Sequence, residues 1–151
     1  MENKKFLSVY VPWVNGVKKL SNVRSFIKAR EFDKKRTGAL TYLIFYNGKI
    51  CGSIGMHSHD LANKKVELGY WLGEKYTGRG IMTKTCGSIV SYCFNSMDIH
   101  RIEIRCAVPN VKSCAIPERL EFTLEGVFKE CEWIEDHFVD HNCYAKLKSY
   151  G

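Results

Sequence analysis

Proline is scarce in this chain, with three in 151 residues, and no stretch rich in Pro, Gly or Ser separates one part from another. With no linker, low-complexity tract or internal repeat to divide it, the sequence reads as one domain over residues 1–151. No apolar run approaches the roughly 18 residues that a membrane span needs. The short run Phe6–Val14 is interrupted by Pro12 and lacks a small-residue cleavage site, so it makes a poor signal peptide. The expectation is a cytoplasmic protein with no membrane partner. C-x-x-C pairs are also missing: the seven cysteines (Cys51, Cys86, Cys93, Cys106, Cys114, Cys131, Cys143) are odd in number, which argues against both a disulfide framework and a zinc ribbon. They read as reduced core residues.

What is present is an ordinary globular composition, 45% hydrophobic and 26% charged. A chain this long buries roughly 70% of the surface that its unfolded form would expose. The net charge of +7 and pI near 9.0 favour an anionic partner: a nucleic acid, an acidic protein or a nucleotide-like polyanion.

Periodicity supplies the elements. A helix is expected from Ser21 or Asn22, either of which can cap it, carrying Val23, Phe26, Ile27 and Arg30 before the basic stretch Lys34–Arg36. Leu40–Tyr46 and Lys49–Met56 are strand-like runs joined by Asn47-Gly48, the pair best suited to the two positive φ angles of a type I′ turn. After a polar stretch, His57–Lys65, Val66–Leu72 reads as another strand. Met82, Cys86, Ile89, Val90, Cys93 and Phe94 form the apolar stripe of an amphipathic helix. Arg101–Val108 alternates as a half-buried strand does, a short helix is expected from Lys112 to Leu120, and Thr123–Glu135 and Phe138–Leu147 read as two more strands. The result is a mixed α/β domain.

Chemistry concentrates in Leu72–Met82, where a strand passes through a glycine turn into a helix. The first turn of a helix leaves N–H groups unpaired. Gly78 and Gly80 let an anion approach the backbone, the helix dipole favours negative charge, and Arg79 adds a cation. A Walker loop is absent, and Thr83 stands where the third glycine of the dinucleotide fingerprint belongs. The histidines in His57-x-His59-Asp60 and His137-x-x-x-His141 come without a third or fourth ligand, so no metal is expected.

Glu67-Leu68-Gly69-Tyr70-Trp71-Leu72, Thr77-Gly78-Arg79-Gly80-Ile81-Met82, Asn110-x-x-Ser113 and Ile116-Pro117-Glu118-Arg119-Leu120 together resemble the ribosomal-protein (serine/alanine) N-acetyltransferase branch of the GNAT superfamily. The resemblance runs from about Val11 to the C-terminus. It implies the GNAT acyl-CoA N-acyltransferase fold, lacking its first strand, and transfer of an acetyl group from acetyl-CoA to a primary amine. The N-terminus of a protein, such as a ribosomal one, or a small amine would be the acceptor. It also implies a strand ending at Leu72 that splays from its neighbour, so that Tyr70, Trp71 and Leu72 offer backbone hydrogen bonds to the pantetheine arm. The turn Thr77, Gly78, Arg79, Gly80, Ile81, Met82 would hold the pyrophosphate, and Asn110 the pantetheine or adenine end. Glu132 would be the general base and Ser113 the general acid, with Glu67 as an alternative base and Tyr144 near the thiol.

Without the resemblance, Glu132 reads as an exposed strand charge, Ser113 as a helix N-cap and Asn110 as a turn residue after Pro109. Thr77 stands where the family's turn has Gln or Arg. Glu121 replaces the glycine that ends the short helix, so it must strain or cap differently. At the start the chain lacks the family's first strand and much of its first helix: either the sheet is reduced, or a partner subunit, and so a homo-oligomer, covers the gap, or the copy is truncated and impaired. Two other readings stay open: a non-catalytic acyl-CoA-binding protein of the same fold, and a basic ribosome- or RNA-binding module.

Overall fold

The computed structural model describes residues 3–149; the outermost residues of the expected 1–151 domain lie outside them. The elements run α1 (Lys4–Ser8), a 3₁₀ turn (Pro12–Gly16), α2 (Leu20–Thr37), β1 (Thr41–Tyr46), β2 (Lys49–Asp60), β3 (Lys65–Leu72), a 3₁₀ turn (Glu74–Tyr76), α3 (Ile81–Ser96), β4 (Arg101–Ala107), α4 (Val111–Arg119), β5 (Thr123–Ile134) and β6 (His137–Leu147). Among the described residues no strand precedes α2, and no helix is long and apolar enough to cross a membrane.

The sheet order is β1-β2-β3-β4-β6-β5. Among the described residues only β3 and β4 pair in parallel, joined by the crossover through α3. Asn47 and Gly48 take φ of 47° and 74°, the type I′ turn expected of that dipeptide. One face of the sheet carries the core: Ile54, Met56, Val66, Leu68, Ile102 and Ile104 pack with Met82, Cys86, Val90 and Cys93 of α3. Burial pushes the thiols of Cys86 and Cys93 up to about 12 and about 11. Six of the seven cysteines are buried and all are free, as reduced core residues should be; Cys131 is exposed.

The local expectations fare differently, two changing at the start of α2 and at Val108. The α2 helix begins at Leu20 with Lys19 as its cap, and Asn22 serves as the third helical residue, accepting from the Lys18 and Lys19 N–H groups at 3.1 and 2.8 Å. An Asn reaching back does the work that a capping Asn would have done reaching forward. Of the polar stretch His57–Lys65, the first four residues belong to β2, which crosses a bulge at His57 and continues to Asp60. Val108 lies beyond β4 and is exposed. Glu121 is strained as expected, with φ of 59°, the left-handed conformation that a glycine would have supplied. The Phe122 N–H then bonds the Pro117 carbonyl at 3.0 Å, and the Lys146 ammonium donates to the Leu120 carbonyl at 2.6 Å.

Candidate active site

The parallel pair β3/β4 is zipped only from Lys65↔Arg101 to Leu68↔Ile104. Beyond that point Gly69–Leu72 pairs only with β2, and Arg105–Ala107 only with β6. Two backbone edges therefore face each other across a wedge without a strand between them, an arrangement able to accept an extended ligand as if it were a strand.

On the core face of the wedge, Tyr70 reaches from β3 to α4. Its hydroxyl donates to the Ser113 carbonyl at 3.1 Å. That carbonyl is free because the residue four positions on is Pro117, which has no N–H to close the helical bond. Burial holds the Tyr70 phenol well above its ordinary range, so it stays a donor. The Ser113 hydroxyl lies 3.2 Å from the Cys106 thiol. Ser113 is not the cap of α4: Asn110 is, its Oδ1 accepting from the Ser113 N–H at 3.3 Å. Tyr144 does not reach this place. It is a core residue, 2% exposed, with its hydroxyl on Glu118 at 2.8 Å.

The glycine turn follows β3. Thr77 spends its hydroxyl on the Glu74 carbonyl at 2.8 Å, and Arg79 lies 5.9 Å from the centre of the Tyr46 ring. Gly78 and Gly80 have φ of 74° and 71°. A Cβ on either would meet nothing within 4 Å, so the backbone conformation requires glycine here, and the surroundings are open. Gly80 caps α3 without a side-chain hydrogen bond. The first-turn N–H groups, those of Ile81 and Met82 among them, are thus left to an outside acceptor. The Met82 side chain itself is in the core.

On the opposite face of the sheet the wedge opens into a cleft of about 430 Å³. Alternation along the strands decides its floor: His57 from β2, Glu67, Gly69 and Trp71 from β3, Arg105 from β4, His141 from β6 and Glu132 from β5. The segment Tyr10–Trp13 and the α2 residues Phe26 and Arg30 complete the walls. Tyr10 packs on Ala107, Ile134 and Val139 and donates to the Pro109 carbonyl at 3.3 Å. Trp13 stacks on Phe26 with ring centres 5.8 Å apart and meets Trp71 edge-on at 6.5 Å.

Two carboxylates face this space. A Glu132 carboxylate oxygen lies 2.9 Å from the buried His141 Nε2, a close contact that does not meet the geometry of a hydrogen bond. Glu67 lies 3.4 Å from the Arg105 guanidinium. The His57 ring meets Gly69 with its Nε2–Cδ2 edge, where a Cβ would fall 1.7 Å from Nε2 and 2.0 Å from Cδ2. Burial lowers the His57 pKa, Glu67 partly offsetting this and Arg30 adding to it, so the ring is neutral near pH 7.

Of the residues singled out from the sequence, the wedge and cleft bring together Glu67, Tyr70, Trp71, Asn110, Ser113 and Glu132. Arg30, His57, Arg105 and His141 belong to the same cleft and were given no role in it. Only the two-residue period of Glu67, Gly69 and Trp71 pointed to a shared face, and the bulge that turns His57 inward has no sequence signal. Among the described residues no three His, Cys, Asp or Glu groups stand together as a metal cage.

A parted parallel strand pair, a glycine turn feeding a helix N-terminus and a cleft on the far face together define an acyltransferase architecture. The model of the acetyltransferase (GNAT) domain matches residues 1–123, and the chain belongs to the GNAT acetyltransferases, enzymes that take their acyl group from acetyl-CoA. It is 36% identical over 105 residues to the putative ribosomal N-acetyltransferase YdaF of Bacillus subtilis (strain 168), covering 70% of this chain and 57% of that protein. It is 29% identical over 146 residues to the ribosomal-protein-serine acetyltransferase of Escherichia coli (strain K12), covering 97% of this chain and 82% of that one. Among solved structures, the microcin C7 self-immunity acetyltransferase MccE in complex with acetyl-CoA and AMP superposes with a TM-score of 0.91 at 35% identity, over 96% of this chain and 81% of that one. RimL, the ribosomal L7/L12 alpha-N-protein acetyltransferase, in complex with coenzyme A superposes with a TM-score of 0.93 at 31% identity, over 97% of this chain and 82% of that one.

Proposed function

We propose that this chain transfers the acetyl group of acetyl-CoA to a primary amine, and that the acceptor is the N-terminal α-amine of a protein, ribosomal in the first instance. Residues 1–151 would act as one catalytic domain in the cytoplasm. The observation that carries the reading is the wedge between β3 and β4, which joins a strand-shaped slot to a cleft holding a carboxylate beside an imidazole.

The residues present suit acetyl-CoA. Backbone groups of Tyr70, Trp71 and Leu72 on the unpaired edge would take the pantetheine arm. The turn of Thr77, Gly78, Arg79, Gly80, Ile81 and Met82 would take the pyrophosphate through N–H groups, with Arg79 as a counter-charge. Asn110 supports this indirectly, because its side chain is engaged in capping α4 beside Ser113. When bound, acetyl-CoA supplies an activated acyl carbon.

Glu132 removes a proton from the incoming ammonium, and His141, 2.9 Å away, is placed to share that charge. Glu67 is the poorer base, since its carboxylate already faces Arg105. A backbone N–H near Leu72 meets the negative charge that grows on the carbonyl oxygen, an interaction whose loss typically costs about 3 kcal/mol. Ser113 gives its proton to the departing thiolate. An α-amine with a pKa near 8 must lose its proton to attack, whereas a thiolate of conjugate pKa near 8.5 leaves with little help. Glu132→Gln is therefore expected to lower kcat by about 10²–10⁴-fold and Ser113→Ala by clearly less. The opposite order, measured in single turnovers, would reassign the two roles. The relatives named as ribosomal-protein serine and L7/L12 alpha-N-protein acetyltransferases support the choice of acceptor.

The deciding experiment is calorimetric titration with acetyl-CoA beside a Gly80→Glu variant, followed by mass spectrometry of candidate peptides incubated with both. Binding that is lost in the variant, together with a 42-dalton gain on peptide N-termini (about one acetyl group in place of a proton), is the expected result. Binding without transfer would favour an acyl-CoA-binding protein, and no binding would overturn the proposal.

A further inference from the structure

We infer that the cleft selects amines that carry an anionic group close to the amine, and that Arg30 is the residue that reads it. This rests on the acetyl-transfer reading of the same cleft.

Arg30 projects from α2 into the cleft wall. Its guanidinium lies 5.5 Å from the centre of the Phe26 ring, and its Nη2 is held by Asp33 at 2.8 Å. Those two contacts fix the plane of the group. They leave Nε sealed from bulk solvent without a protein acceptor. A guanidinium presents its five N–H donors in a rigid fork, so a side chain held by one edge offers the remaining donors as a set. An anion with two oxygens satisfies such a set, which a neutral group does only in part.

The floor is built in the same sense. Arg105 meets Glu67 and Glu103 at 3.4 Å each, both longer than a strong charge-assisted bond. Its guanidinium can share itself with a ligand oxygen without breaking either pair. Arg30 and Glu132 line the same cleft, so one ligand held there places its ammonium at Glu132 and its anionic group at Arg30. A neutral substituent there would leave the charge of Arg30 balanced by Asp33 alone, whereas an anionic one adds charge-assisted hydrogen bonds to the donors that Asp33 does not use.

Trp13 and Trp71 stand in the cleft wall, so intrinsic fluorescence reports occupancy without turnover. CoA-saturated protein is titrated with pentapeptides that share an N-terminal residue and carry Asp, Asn or phosphoserine at the second position. The Asp peptide is expected to bind at least about tenfold more tightly than the Asn peptide, and Arg30→Gln should bring that ratio close to one. Titration of the variant with acetyl-CoA checks that it is folded. Preference for phosphoserine over Asp would identify a phosphoryl group as the anion read; preference for Asp would identify a carboxylate. Equal binding of all three, binding of none, or a preference that survives Arg30→Gln overturns the inference. The same peptides are then incubated with acetyl-CoA and weighed. Selective binding without a mass gain keeps the anion site and sinks the transfer reading, whereas equal acetylation of all three does the reverse.

Discussion

Gly69→Ala tests the construction of the cleft. A Cβ at this position would fall 1.7 Å from His57 Nε2 and 2.0 Å from Cδ2, so the imidazole must leave its seat on β3. The backbone has no objection, because Gly69 is not among the positive-φ glycines. Relieving an overpacked contact costs about 1–3 kcal/mol, and the stiffer unfolded chain returns about 0.4–1 kcal/mol. The net loss should be about 1–2 kcal/mol, a fall of about 3–6 °C in Tm for a chain of this size. The displaced ring can move only into the cleft, since the core face is packed. Acceptor KM should therefore rise while acetyl-CoA affinity is kept. Removing the ring as well, in Gly69→Ala with His57→Ala, should recover about 1–2 kcal/mol of coupling in a double-mutant cycle read by urea unfolding. If the double variant is as unstable as the sum of the two singles, the clash is not what Gly69 avoids and the reasoning fails.

Tyr70→Phe should cost about 1–3 kcal/mol in urea unfolding, because the Ser113 carbonyl freed by Pro117 loses its one observed donor; a change under 0.5 kcal/mol would mean that another donor takes over. Native protein treated with a thiol reagent should show one rapidly reacting cysteine, Cys131, with the other six appearing only on unfolding; two or more fast thiols would contradict the described packing. Against burial, which raises it, the Arg101 guanidinium pulls the Glu103 carboxyl below its usual range, and it also lowers exposed Glu125. A depressed carboxyl contributes stability above its unfolded pKa near 4.5, and loses it as pH falls through the lower folded value. Arg101→Met should thus cost about 1 kcal/mol at pH 7 and almost nothing near pH 2, by thermal unfolding across that range; a cost independent of pH would point to packing by the arginine stem.

Local order was written in the sequence where one short-range rule dominates. Asn47-Gly48 could close only one kind of turn, and the stripe from Met82 to Phe94 could face only one way. The paired glycines at 78 and 80 marked a positive-φ turn into a helix N-terminus, because both are local properties. The resemblance carried the family and the names of Glu132 and Ser113. Sequence alone could not show that β3 and β4 part after Leu68, since strand pairing is decided by what lies beside a strand. Nor could it give Ser113 its surroundings, which depend on Tyr70 crossing from β3 to a carbonyl freed by Pro117. His57 was passed over because a bulge, invisible to periodicity, turns it onto Gly69, and Arg30 because a helix pattern does not say what the helix lies against. Residues 30, 57, 105, 132 and 141 come from five elements. Only the closing of the sheet and the laying of α2 across it put them around one space, because side chains so far apart in sequence meet through long-range packing, which no local pattern encodes.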